Sequence, residues 1–472
     1  MKEAAKEIPK EKENTDFLPS ASLSSLRRRT VVSVLRAWRE IEGLARHVVS
    51  HDIRPSVPKE DGDLLLEQMR QCLNSKGGEV TARAHTADLG RIYLKLNETG
   101  RVKFLKMLAE EFAPDTSKIE ELCASYKSGS SDSEKLSVEI AMRKALITPR
   151  SIILRQFTDL PDGFQFLINM RSDLLPIIGD DVALKGLEYD LKSILFSWFD
   201  IGLLDMREIT WQSPAALLEK LIEYEAVHRV SSWDDLKNRL DSDRRVFAFF
   251  HNKMPLEPLI FVHVALVKGM SNNIQKLLDQ TDPVTDNKEA DTAIFYSISN
   301  AQKGLVGISF GNFLIKRVVG KLSLELKNIK TFATLSPIPN FRNWLSKELE
   351  KTDSKLLGKE ERDTLQSLGK EWYKDKKLPE ELKPLLLRLC AHYLMNEKRK
   401  DRPLDPVCNF HLSNGARLER INWLADISEK GLRQSAGMMV NYYYKLSDID
   451  DNHEAFMSKG KVVASKSVKG LL

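Results

Sequence analysis

Ser336 closes the run ThrPheAlaThrLeuSer (331–336) and is followed by Pro337 and Pro339. The two prolines block continuation of a strand or a helix, so the hydroxyl is held where a strand ends and the helix PheArgAsnTrpLeuSerLysGluLeu begins. Ligands of α/β domains gather at that position. No G-x-S-x-G elbow surrounds Ser336, which argues against an esterase-type nucleophile. A proton-transfer group stands in AspProValCysAsnPheHisLeuSerAsnGlyAla (405–416), where His411 lies between Phe410 and Leu412. Partial burial there can move its pKa either way. In MetMetValAsnTyrTyrTyrLysLeu (438–446), alternation puts Tyr442 and Tyr444 on one face and Tyr443 on the other. Read singly, Ser336 is more simply a helix cap, His411 a core side chain and the tyrosines packing residues.

A third constellation bears on anion binding. The β-like run TAIFYSIS (292–299) leads through NAQKGLVGISFGN into the helical pattern FLIKRVVGKLSLEL, with Gly304, Gly307 and Gly311 in the connection. Glycines let backbone N–H groups approach an anion, and a helix N-terminus adds partial positive charge. The spacing is neither the Walker pattern nor GxGxxG. A plain glycine-rich connection therefore stays open beside a pyrophosphate-binding turn, and Lys316 and Arg317 read as solvated charges on the helix that follows.

These residues need elements to position them. From Leu26 to about Leu203 the pattern is helical: Val31, Val34, Leu35, Trp38, Ile41 and Leu44 form one stripe. Similar patterning recurs over 64–73, 88–96, 101–112, 134–146 and 189–198, with a loop at 128–133. After about Met206 β-like runs appear at 245–250, 259–266, 292–299 and 331–336. Helical stretches follow Ser213-Pro214, with Ser213 as the expected N-cap, open at Trp233, and run from about Phe310 to Leu326. Asp405-Pro406 can start a short helix that Asn414-Gly415 ends, although Asn-Gly equally marks a hairpin. The expected architecture is α+β: a solvated lead-in over 1–20, an all-helical bundle over 21–205, and a mixed α/β domain over 206–472.

Composition excludes more than it selects. The 472 residues carry 72 basic and 67 acidic side chains, a net charge of +5 too thin for a nucleic-acid footprint. Cys72, Cys123, Cys390 and Cys408 are scattered, with no CxxC, and no histidines show HExxH spacing, which disfavours a metal site or disulfide framework. No run approaches the ~18 apolar residues of a membrane span. The Glu-rich N-terminus has no apolar core and the chain ends Gly470-Leu471-Leu472, so the expected compartment is the cytoplasm.

Taken as ordered strings, SWFDIGLLDMREITWQSP, AVHRVSSWDDLKNRL, TAIFYSISNAQKGLVGISFGNFLIKRVV, TLSPIPNFRNWL and PVCNFHLSNGARLERINWLADIS closely resemble the malonyl-CoA decarboxylases. The resemblance spans about residues 150–446 and is weaker in the helical half. It implies a helical domain used for homo-oligomer contacts, in a dimer or tetramer, and a catalytic domain of the acyl-CoA N-acyltransferase fold. It places the acyl-CoA pyrophosphate on Val306, Gly307, Ile308, Ser309, Phe310, Gly311 and Asn312, and it counts Ser336 and His411 among the malonyl-CoA contacts. The family's catalytic serine falls on Ser336, its histidine on His411 and its NYxY tyrosine on Tyr444. Some members carry a glutamate where this chain has Ser309, so another group must orient the histidine here, or none does.

The implied reaction releases carbon dioxide from malonyl-CoA and protonates the resulting enolate to acetyl-CoA. The thioester is itself the electron sink, so no cofactor is expected. Ser336 would orient the carboxylate and His411 would protonate the α-carbon. Two rivals remain: an acyl-CoA N-acyltransferase, which needs an acidic amine channel, and a non-enzymatic assembly protein that only binds acyl-CoA.

Overall fold

The computed structural model describes residues 34–41, 52–73, 78–199, 201–308, 311–351, 356–369, 371–375 and 377–472. The expected lead-in over 1–20 lies outside them. The chain forms two compact units, one comprising described residues up to Gly163 with 181–187 and 230–236, the other 164–180, 188–229 and 237–472. A helical N-terminal region followed by a mixed-sheet domain makes the chain α+β, as expected.

In the first unit the helices Lys59–Gln71, Gly78–Lys95, Glu98–Glu111, Thr116–Ser128, Asp132–Ala145 and Pro149–Gln156 follow one another. Their starts are written locally. Asn97, Asp115 and Thr148 each accept an amide of the first turn, and Ser131 and Glu134 form a reciprocal capping box. The stripe anticipated over 31–47 is described at 34–41, where Trp38 is fully buried with its ring 6.0 Å from that of Phe157.

The second unit is built on an eight-stranded sheet. Its strands are β1 (Leu204–Ile209), β2 (Arg244–His251), β3 (Met254–Val267), β4 (Thr292–Asn300), β5 (Thr331–Thr334) and β6 (Ser336–Pro337). A separate two-residue hairpin, β7 (Lys398–Arg399) with β8 (Arg402–Pro403), precedes β9 (Arg417–Asn422) and β10 (Met439–Tyr443). The order is β1-β2-β3-β4-β5-β10-β6, with β9 on the far edge of β10. Strands β1 to β4 are antiparallel neighbours, whereas β4 and β5 run parallel across the helix Gly311–Glu325. The long apolar runs of β2, β3 and β4 are buried residue after residue because both sheet faces are covered. Strand β1 begins directly after the stretch read as helical, which ends at about Leu203, and was not among the β-like runs expected from the sequence.

Two irregularities open the sheet. Between β3 and β4 the register shifts, His263 facing Ser297 and Val264 facing Phe295, so Tyr296 is an extra residue on β4. Between β5 and β6 the strand breaks at Leu335, whose amide bonds the Phe295 carbonyl as the last link to β4. Side chains replace ladder bonds on the other edge. The Asn441 amide side chain donates to the Thr334 carbonyl at 2.7 Å, and the Tyr442 amide donates to Thr334 Oγ1 at 3.1 Å. Beyond these points β4 and β6 part, and the space between them is the site.

Candidate active site

A cavity of about 300 Å³ opens between the separated strands, walled on one side by Phe295, Ser297 and Asn300 and on the other by Ser336, Phe410 and His411. Ser336 sits on β6 immediately after the break, beside Pro337. It caps no helix: the helix that follows is Phe341–Glu350, preceded by Asn340. His411 arrives on the helix Pro406–Ser413, which Asp405 caps by accepting the Cys408 amide at 2.8 Å. Asn414-Gly415 ends that helix, which decides against a hairpin.

The side chains form one chain of hydrogen bonds. His411 Nε2 lies 3.0 Å from Ser336 Oγ, and His411 Nδ1 lies 2.8 Å from Tyr444 Oη. Ser336 Oγ donates to Thr334 Oγ1 at 2.9 Å. With the Ser336 proton directed to Thr334, the consistent arrangement has Tyr444 donating to Nδ1 and Nε2–H donating to Ser336. The ring is further fixed by Tyr442, stacked at 4.5 Å between centroids, and by the edge of Phe410 at 5.1 Å. Burial pushes the His411 pKa down to about 3, so the ring is neutral in the free protein. Burial raises the Tyr444 phenol well above its ordinary value. A neutral imidazole between two hydroxyls can accept, relay or deliver one proton.

The glycine connection lies at another part of the same unit. Gly304 is pressed against backbone, since a Cβ there would stand 1.9 Å from the Ile168 carbonyl oxygen, and Gly307 has φ +77. Arg171, itself buried, donates to the Gly304 carbonyl at 2.5 Å and to Glu188 at 2.7 Å, clamping the turn. Val306 is exposed, Ile308 is buried, and Gly311 and Asn312 open the helix Gly311–Glu325. Ser309 and Phe310 lie outside the described residues. Arg317 departs from the expectation of a solvated charge: it donates to the Leu204 carbonyl at 3.1 Å and covers the Phe249 ring at 5.1 Å. Lys316 pairs with Asp450 at 2.8 Å. Ser213 also departs. It accepts the Thr210 amide at 3.1 Å, and Pro214 takes the N-cap position of the helix Ala215–Tyr224.

A second polar cluster backs the β4 wall and was not anticipated. Glu225 accepts the amides of Val227 at 2.8 Å and His228 at 3.0 Å, and the Ser297 hydroxyl reaches both its oxygens at 2.8 Å. Ser299 donates to it at 3.2 Å, and His263 Nε2 lies 3.3 Å away. Burial alone would raise this carboxyl, but His263, the His228 amide and Ser297 outweigh burial and hold it at about 2. The sequence signal was available in the serines of TyrSerIleSer, which alternation sends to one face of β4.

Comparison with known proteins gives a consistent result. The model of the malonyl-CoA decarboxylase C-terminal domain matches residues 202–472, and that of the N-terminal domain matches 112–199. The mitochondrial malonyl-CoA decarboxylase of Anser anser anser is 38% identical over 418 residues, covering 82% of this chain and 83% of its own. That of Rattus norvegicus is 36% identical over 467 residues, covering 93% of each. The crystal structure of malonyl-CoA decarboxylase from Rhodopseudomonas palustris matches with a TM-score of 0.82 at 41% identity, over 87% of this chain and 99% of that one. The enzyme from Agrobacterium vitis gives 0.81 at 40% identity, over 86% and 99%.

Proposed function

The chain belongs to the malonyl-CoA decarboxylase family, and on that premise we propose that it is a carboxy-lyase converting malonyl-CoA to acetyl-CoA and carbon dioxide, with Ser336, His411 and Tyr444 as the reacting set. The observation that carries this assignment is the unbroken Ser336–His411–Tyr444 hydrogen-bond chain on the wall of the cavity. Ser336 orients the malonyl carboxylate, its hydroxyl turning from Thr334 to the substrate as it docks. Backbone N–H groups at the cavity stabilise the enolate oxygen as the carboxylate leaves.

The proton requires a source, because a neutral imidazole is a poor acid. The substrate carboxylate supplies the means. Docked beside the ring, its negative charge favours the imidazolium, and a proton enters with the substrate. When the Cα–carboxylate bond breaks, its electron pair moves into the enolate and neutral carbon dioxide departs. The stabilising charge is then gone, and His411 passes its Nε2 proton to the α-carbon. Tyr444 holds Nδ1 throughout and fixes which nitrogen faces the cavity.

The connection Val306–Asn312 is assigned to the CoA diphosphate, supported by the left-handed Gly307 and the start of a 15-residue helix beside it. Homo-oligomer contacts through the helical unit are supported by the helix Asp132–Ala145, which buries none of its residues while Leu136 and Ile140 stay exposed. Among the described residues no helix is long and apolar enough to cross a membrane. We retain the cytoplasm as the compartment on the four free thiols, although the goose and rat relatives are named mitochondrial.

Incubation of the pure protein with malonyl-CoA and no amine tests the reading. Equal release of carbon dioxide and acetyl-CoA is expected, abolished in Ser336→Ala and His411→Ala. Acyl transfer only on adding an amine would favour the acyltransferase reading, and binding without turnover the assembly protein.

A further inference from the structure

The cavity has two polar walls of different character. On the β6 side stand two neutral groups, Ser336 and His411, whose hydroxyl and Nε2–H turn from their mutual contacts to a docked carboxylate. On the β4 side stands Ser297, and its one hydroxyl proton is committed to both oxygens of Glu225 at 2.8 Å. Ser297 Oγ can therefore only accept toward the cavity. Behind it the carboxylate is fully surrounded: two backbone amides, two serine hydroxyls and His263 converge on it. Such coordination holds a carboxylate ionised where burial would otherwise neutralise it. His228 does not offset that charge, since burial lowers its pKa to about 4. Lys430 faces the same segment; its ammonium is bonded to the carbonyls of Ala226 at 2.7 Å and Val227 at 2.9 Å, and its charge is shared between Glu225 and Asp426, so it offsets the Glu225 charge only in part.

We propose that Glu225 is a positioning residue for decarboxylation: through Ser297 it presents fixed negative charge to the β4 side of the cavity, which turns the malonyl carboxylate toward Ser336 and destabilises it until it leaves as carbon dioxide. This rests on the decarboxylase reading. In the ground state the substrate's charge sits on the carboxylate, close to both walls. As the Cα–carboxylate bond breaks, the electron pair moves to the thioester oxygen, carbon dioxide carries no charge away, and the proton that completes acetyl-CoA comes from the β6 side. Repulsion from Glu225 is thus relieved in the transition state, which is the condition for an effect on kcat. A carboxylate serving only as packing would show no such dependence on the substrate's charge.

Glu225→Gln separates the two possibilities, because it keeps the shape and most hydrogen bonds while removing the charge. In this variant malonyl-CoA should bind roughly 3- to 10-fold more tightly while kcat falls about 10- to 100-fold, a combination expected when ground-state strain is lost. Acetyl-CoA, which lacks the carboxylate, should bind as to the wild type. Unchanged kcat and malonyl-CoA affinity would overturn the proposal, as would equal weakening of both thioesters, the signature of a distorted pocket. Should Glu225→Gln fail to fold, Ser297→Ala takes its place: the same split in smaller degree is expected, and equal effects on the two thioesters would refute it. The wild-type control distinguishes failures of the two readings, since absence of decarboxylation there refutes the function and leaves Glu225 without a role.

Discussion

Substrate binding should carry a proton into the site, and the amount can be worked from the geometry. His411 begins with a pKa of about 3 because it is fully enclosed. A carboxylate seated about 3.5 Å from the ring, at an effective dielectric near 20, favours the imidazolium by roughly 5 kcal/mol, or about 3.5 pH units. That restores the ordinary histidine range, so binding should take up about a quarter of a proton at pH 7 and about three quarters at pH 6. The sign follows from linkage: the bound form holds more protons, so affinity tightens as pH falls through the histidine range. Calorimetry in two buffers of different ionisation heat reads the uptake directly, using an inert analogue with a sulfonate in place of the carboxylate. Acetyl-CoA should bind without uptake, and His411→Gln should lose the uptake for the analogue. No uptake at pH 6, or the same uptake with acetyl-CoA, would refute the proposed route of the proton.

Three further outcomes are expected. Tyr444→Phe leaves the enclosed Nδ1 of His411 without its 2.8 Å partner; it should lower stability by about 1–3 kcal/mol and kcat more than KM, read by thermal unfolding and steady-state rates. Asp405 is pushed up to about 6 by burial, so ionising it opposes folding. Its stabilising protonated form is present at low pH and lost as pH rises through that value, so Asp405→Asn, which keeps a capping side chain, should gain roughly 2–3 kcal/mol of relative stability at pH 8 over pH 4 in denaturant titrations. Gly304→Ala drives a methyl into the Ile168 carbonyl; displacement of the turn should destabilise by about 1–3 kcal/mol and raise KM for malonyl-CoA with little change in kcat.

Much of the fold could be read from periodicity, because the runs at 245–250, 259–266 and 292–299 are long and dense in β-branched and aromatic residues. Strand β1 could not, since LeuAspMetArgGluIle lies at an edge, buries only its terminal Leu204 and Ile209, and has no apolar density to mark it. For the site, local pattern supplied Ser336 and His411 only as a cap and a core residue. What joins them is pairing 75 residues apart, and Tyr444 enters through 33 more. Periodicity carries no such information, and the family strings supplied it. Glu225 escaped notice for a related reason. Its four hydrogen-bond donors and the neighbouring His263 come from its own turn and from two strands, a convergence that neither composition nor spacing encodes. Ser213 shows the opposite failure: a sound local rule gave way when the hydroxyl found the Thr210 amide instead.

The position of β10 has a consequence for the life of the chain on the ribosome. This last strand of the sheet to be synthesised is also an interior one, flanked by β5 and β6 on one edge and β9 on the other. Until residues 439–443 emerge, β5 presents an open edge of the kind that recruits strands from other chains. The same segment brings Tyr442 and Tyr444 to His411, so closure of that edge and completion of the reacting set are one event. A nascent chain therefore has no working site until β10 is made, and it carries an adhesive flank from the emergence of β5 to that of β10. Premature stops between His411 and Met439 should yield aggregates rather than weak enzymes.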